Sequence, residues 1–189
     1  MPLTSDAEIA ELLTNARTIA MVCASDRPER ASNGVMKFLQ SRGYRVLPVN
    51  SQITGEHVHG EYVWRELSQI GEPIDIVDIF RRSEFAGEAV DQAIAAGAKA
   101  VWMQLGVIDE EAAARAEAAG LKVVMNRCPK IEYGRLSSEI SWMGVNSRTL
   151  SSKKAPLLGG GIQRMSLNRT TSAGGATAAA QRAEKDGNS

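Results

Sequence analysis

The residues best placed by type and spacing to do chemistry lie in one short segment: Ser25, Arg27, Arg30, Ser32 and Asn33. They follow an apolar run, Ile19-Ala20-Met21-Val22-Cys23-Ala24, and lead into a segment with Val35, Phe38 and Leu39 on one helical face. A strand that feeds a helix through a small, polar loop is the first half of a βαβ nucleotide-binding unit. The helix start offers free backbone N–H groups and a positive dipole end to a phosphate. Arginine strengthens the anion reading, because its planar fork of donors fits phosphate bidentately.

Those residues need elements to hold them, and the rest of the chain supplies a regular alternation. Ser5-Asp6-Ala7-Glu8 reads as a capping box opening a helix to about Asn15. Strands are predicted at 18–24, 44–50, 74–80, 100–105 and 121–125. Helices follow the first loop up to Gly43, span Ser83 to Ala96 with Phe85, Ala89, Ala93 and Ile94 on one face, and run from Asp109 to Gly120. Residues 51–61 read as loop, with a helical turn over Tyr62–Gln69. Strands apolar on both faces and separated by helices indicate an α/β, Rossmann-like, doubly wound parallel sheet of about five strands with a C-terminal extension.

In such a sheet a ligand sits beyond the carboxyl ends of the strands, where strand order reverses. The segments there are Cys23–Gly34, Pro48–Asn50, Phe80–Arg82, Gln104–Gly106 and Asn126–Cys128, and they bring Arg27, Arg30, Arg81, Arg82 and Arg127 to one edge.

The same segments carry a family resemblance. Ala24-Ser25 with Pro28 and Ser32, Gly43-Tyr44 with Pro48-Val49-Asn50, Val77-Asp78-Ile79-Phe80-Arg81-Arg82, Trp102-Met103-Gln104-Leu105-Gly106 and Val124-Met125-Asn126-Arg127-Cys128 resemble the small CoA-binding proteins. Their fold matches the N-terminal domain of the succinyl-CoA synthetase alpha subunit. The resemblance covers about residues 15–136. It implies coenzyme A as ligand, with the pyrophosphate against the amides of residues 25–34 and Ser25, Arg27, Arg30, Ser32 and Asn33 as partners. Pro48 and Asn50 would line the adenosine side; Phe80, like Trp102, reads first as core, with contact to adenine from its strand end as the alternative. Arg81 and Arg82 would meet phosphate charge, and Gln104 and Gly106 would flank the pantetheine. Asn126, Arg127 and Cys128 would complete the edge. In one position the chain departs from the family: Cys23 stands where glycine is usual, so a side chain there would crowd the pyrophosphate.

Each cysteine has a second reading. Cys128 is either a thiol near the CoA sulfur or a packed residue before Pro129, and packing is the commoner state. Cys23 reads as packing. His57 and His59 lie in a polar loop without metal-ligand spacing, so no metal is expected.

Composition excludes several function classes. The chain has 189 residues and no formal net charge. Seven basic against three acidic residues from Ser137 onward leave +4 there and about −4 before it. An acidic body argues against nucleic acid as a partner. No apolar run reaches the roughly 20 residues that span a bilayer, and two cysteines without framework spacing suit a reducing, cytoplasmic setting.

The expected organisation is a CoA-binding domain over 1–136, a partly ordered extension over 137–169 and a disordered tail over 170–189. The extension carries enough apolar residues to dock on a second copy or a partner protein.

No Gly-x-Ser-x-Gly elbow, Walker loop or carboxylate pair occurs, and no histidine follows His59 to accept a phosphoryl group. The reading is a protein that binds CoA or acyl-CoA, without catalytic residues. The alternative is an acyl-CoA-handling enzyme, or a subunit of one that needs a partner chain. An NAD(P)-binding regulator fits less well. The first loop lacks the three-glycine fingerprint, and strand two ends in Pro48-Val49-Asn50 rather than an acidic ribose ligand.

Overall fold

The computed structural model describes residues 1–53 and 55–142. Five parallel strands form the central sheet: β1 (Thr18–Val22), β2 (Arg45–Val49), β5 (Ile76–Ile79), β6 (Ala100–Met103) and β7 (Lys122–Val124), in the order β2-β1-β5-β6-β7. Five helices cover it: α1 (Asp6–Asn15), α2 (Ala31–Ser41), α3 (Ala86–Ala95), α4 (Glu110–Ala118) and α5 (Pro129–Trp142). The protein is a Rossmann-like α/β fold, as the alternation of elements predicts.

Side chains that alternate along each strand divide the core in two. Met21, Val46, Ile76, Trp102 and Val124 face one layer, where α1, α2 and α5 contribute Leu13, Met36, Leu39 and Tyr133. Ala20, Val77, Val101 and Val123 face the other, packed by the alanines of α3 and α4. Small side chains on α3 and α4 let those helices approach the sheet closely. Trp102 is fully buried, and its indole Nε1 donates to the Arg127 carbonyl at 2.7 Å, which ties β6 to the turn after β7. Truncating a buried residue of that size costs about 3–5 kcal/mol.

Several boundaries differ from the sequence expectation for physical reasons. Strand one ends at Val22, not Ala24, because Cys23 turns into the left-handed region at φ 62°. Pro48, expected at the end of strand two, lies inside β2 and opposite Met21. Its carbonyl accepts from Trp64 N on the outer side of that edge strand. Carbonyl and nitrogen of one strand residue point the same way, so the missing N–H faces outward and breaks no rung. Residues expected to be loop contain a hairpin of β3 (His57–Val58) and β4 (Glu61–Tyr62). His59 and Gly60, at φ 48° and 86°, form its tight turn.

The helical turn expected over 62–69 shrinks to a single 3₁₀ turn at Leu67–Gln69. Phe85, expected on the buried face of the third helix, lies instead in the 3₁₀ turn Ser83–Phe85. It is half exposed, with the Arg82 guanidinium over its ring. Helix α5 has no counterpart in the sequence reading. The expected extension and tail lie, from residue 143 onward, outside the described residues.

Candidate functional site

The chain leaves β1, passes through α2 to the outer strand β2, then returns past β1 to β5 on its other side. Strand order therefore reverses at β1 and β5. Beyond the carboxyl ends there, a cavity of about 530 Å³ is lined by Cys23, Ser25, Arg27, Arg30, Ser32, Asn50 and Phe80, among others. Of the residues proposed from sequence, six converge on this one space: Ser25, Arg27, Arg30, Ser32, Asn50 and Phe80. Asp26, Gln52 and Ile53 line it as well, and no motif or spacing had pointed to them.

The loop is held by two asparagines. Asn50 Nδ2 donates to the Ala24 carbonyl at 2.7 Å, and Asn33 Nδ2 donates to the Ser25 carbonyl at 2.9 Å. In a trans peptide the N–H opposes the C=O, so these bonds turn the amides of Ser25 and Asp26 away from the asparagines. With its nitrogen committed to Ser25, Asn33 presents Oδ1 to His59 Nε2 at 2.9 Å, and the imidazole donates. The β3–β4 hairpin thus braces the start of α2. Asn33 is a positioning residue of the loop and is itself buried.

Helix α2 begins without a side-chain cap at Arg30. Its first backbone N–H groups are the ones an anion satisfies. Ser32, in this first turn, is only 5% exposed and lines the cavity. Arg27 and Arg30 are exposed, and among the described residues neither has an ion-pair partner. Asp26 contributes the one opposing carboxylate of the lining. The balance of charge is positive.

The remaining proposed residues lie elsewhere. Pro48 is buried in β2. Arg81 pairs with Glu88 on α3 and borders a separate cavity of about 250 Å³, which shares Cys23, Asn50 and Gln52 with the first. Arg82 stacks on Phe85 at the surface. Gln104 is 6% exposed, and its Nε2 donates to both carboxyl oxygens of Asp78, at 2.9 and 3.1 Å. That bond turns the Gln104 amide nitrogen inward. Gly106, at φ 83°, donates its N–H to Asn126 Oδ1 at 2.8 Å. Asn126 (φ 55°), Arg127 and Cys128 line a further cavity of about 580 Å³ at the end of β7.

Asp78 is the group that sequence reading did not single out. Its carboxyl is fully buried, and burial pushes its pKa up to about 8, against the opposing effect of the Gln104 hydrogen bond. It is held neutral beneath the carboxyl edge of the sheet. Its position in an otherwise apolar strand, Ile76-Val77-Asp78-Ile79, was the available signal.

A CoA binding domain model matches residues 17–134. The chain belongs to the CoA-binding domain family. It is 38% identical over 129 residues to the uncharacterized Bacillus subtilis protein YneT, covering 68% of this chain and 94% of YneT. The fold is similar to that of a protein from Pyrococcus horikoshii OT3, with 41% identity and a TM-score of 0.68 over 72% of this chain and 96% of that one. It is also similar to a dinucleotide-forming acetyl-coenzyme A synthetase from Ca. Korarchaeum cryptofilum, solved with phosphate and ADP, with 25% identity and a TM-score of 0.56. That match covers 61% of this chain and 27% of the synthetase. This CoA-binding domain has no group of three or more His, Cys, Asp or Glu side chains placed to hold a metal among its described residues. None of the described helices is long and apolar enough to cross a membrane.

Proposed function

We propose that this protein binds coenzyme A, with the pyrophosphate of its nucleotide half at the start of α2. The observation that carries the reading is an uncapped helix N-terminus, flanked by two unpaired arginines, opening on the 530 Å³ cavity at the strand-order reversal. A diphosphate meets three favourable features there: free N–H groups, the positive end of the helix dipole and guanidinium donors. The hydroxyls of Ser25 and Ser32 add neutral donors. The family match supports CoA over other nucleotides. Cys23 places a Cβ on the cavity wall where the family usually has none, so the phosphate approaches that side less closely.

A second reading has a specific support: the chain is similar to only about a quarter of a larger acetyl-coenzyme A synthetase. In that reading the protein presents bound CoA or acyl-CoA to a partner chain that holds the reacting groups. The two readings share the ligand and differ in turnover.

Thermal-shift measurements with CoA, dephospho-CoA, acetyl-CoA, NAD and ATP test the proposal. A ligand that binds only the native state at 100 times its Kd adds about 2.7 kcal/mol of stability, a shift of several degrees for a domain of this size. CoA is expected to shift the midpoint more than NAD or ATP. A shift with NAD and none with CoA refutes the reading. Acyl-CoA turnover by the isolated chain would favour an enzyme over a carrier.

A further inference from the structure

The strand register continues one residue past the strand ends. Val22 lies opposite Ile79, Ile79 opposite Met103, and Trp102 opposite Val124. The next residues, Cys23, Phe80 and Gln104, therefore form a row across the carboxyl edge, and the left-handed turn at Asn126 follows β7 at its far end. Two ladder bonds extend past the strands in register, Phe80 N to Val22 O and Gln104 N to Ile79 O; after β7 the bond to Met103 O comes from Arg127 N, one residue further on, because Asn126 bulges out at φ 55°. The nucleotide cavity sits at the Cys23 end of this row and the 580 Å³ cavity at the Asn126 end.

That second cavity is apolar in its wall. Leu105, Met125, Cys128 and Ile131 line it, and the N-terminal residues Met1–Thr4 close one side. The Leu3 N–H bonds the Val123 carbonyl at 2.7 Å, which fixes this segment against the edge of β7. Leu105 and Ile131 are 64% and 56% exposed, so two large aliphatic side chains stand in solvent on the same rim. Arg127 is committed to Glu132, and Glu110 adds a carboxylate to the lining. The two cations of the lining, Arg127 and the Met1 ammonium, are thus engaged by Glu132 and Glu117.

The separation of the cavities matches one ligand. Crossing from β1 to β7 takes three strand spacings of ~4.8 Å, or ~14 Å. Thirteen bonds join the proximal phosphorus of CoA to its sulfur, and at the ~1.2 Å per bond of an extended chain they reach ~16 Å. A pantetheine arm laid along the row from the start of α2 brings its sulfur to the mouth of the apolar cavity.

We propose that the ligand is an acyl thioester of CoA, whose neutral aliphatic chain occupies the cavity formed by Leu105, Met125, Cys128 and Ile131. This rests on the CoA reading above and names the class of acyl group: aliphatic and uncharged, not a dicarboxylic acyl. The exposed rim is covered by the ligand itself.

Calorimetry with CoA, acetyl-, butanoyl-, hexanoyl-, octanoyl- and succinyl-CoA tests it. Affinity rises with chain length by up to about fourfold per buried methylene, and succinyl-CoA binds no tighter than free CoA. Leu105→Ser and Ile131→Gln alter exposed side chains, so the fold tolerates them. Each lowers the dependence on chain length while free CoA binds within twofold of the original chain. CoA binding with no dependence on chain length overturns this inference alone, and absence of any CoA binding overturns both readings. Sedimentation at increasing concentration covers the remaining occupant. A dimer that Leu105→Ser dissociates, with an unchanged acyl series, assigns the rim to a second copy and overturns the acyl assignment.

Discussion

Asp78 is expected to make the folded protein lose stability as pH rises. Its carboxyl is completely buried, has Gln104 Nε2 as donor to both oxygens, and has no ion-pair partner among the described residues. Burial therefore raises its folded pKa to about 8, whereas the unfolded chain releases the proton near ~3.9. Between those values the native state holds a proton that the unfolded state has lost. Stability from this group is then complete below about pH 4, falls as pH rises, and levels off above about pH 8. The slope is about 1.4 kcal/mol per pH unit. The Asp78→Asn variant keeps the shape of the side chain and an acceptor for Gln104 but has no proton to lose. Urea unfolding of both proteins at pH 5.5, 6.5 and 7.5 should show the variant gaining about 2.5 kcal/mol on the original across that range. Parallel curves, with a difference that stays constant within about 0.5 kcal/mol, would refute a buried neutral carboxyl at this position.

Cys23→Gly should raise stability by about 1 kcal/mol, because relief of a left-handed Cβ residue, worth ~1–2 kcal/mol, exceeds the extra freedom glycine gives the unfolded chain. The strand assignment from sequence points the other way, so a lower urea midpoint would restore that view. Arg27→Ala and Arg30→Ala are each expected to weaken CoA binding about tenfold in calorimetry while leaving the unfolding midpoint nearly unchanged. Arg81→Ala should weaken it less, since Glu88 already engages that guanidinium. Asn33→Ala frees the Ser25 carbonyl and the His59 donor, and should cost about 1–3 kcal/mol in unfolding. A midpoint equal to that of the original chain would mean the loop is held by other contacts.

The sheet and the site loop are legible in the sequence because their signals are local. Runs such as Ile76-Val77 and Ala100-Val101-Trp102 are apolar on successive residues, and their short length between turn signals marks them as strands covered on both faces. The loop after β1 is legible from Ser25, Arg27, Arg30 and Ser32, and the cavity gathers all four. Cys23 packs against the core as read, but its place within the strand is misread, because a left-handed backbone leaves no mark in hydrophobicity and an apolar residue at a strand end looks like one more strand residue. The hairpin turn His59-Gly60 escapes notice because histidine is rarer than asparagine or aspartate at that φ. Helix α5 begins with Pro129 at its first position, a usable signal that Gly134 in its interior obscures. Position at a strand end is what assigns Gln104 to the site. Its inward turn depends on Asp78, a tertiary contact 26 residues away in sequence.

Amide-resolved NMR during titration with CoA tests the central claim most directly. The account predicts the largest shifts at Ser25, Arg27, Ala31, Ser32 and Asn33, saturating at one equivalent of CoA and absent with NAD at the same concentration. Shifts confined to the opposite end of the sheet, around the cavity lined by Asp75, Lys99 and Lys122, or a spectrum unchanged by CoA, would contradict it.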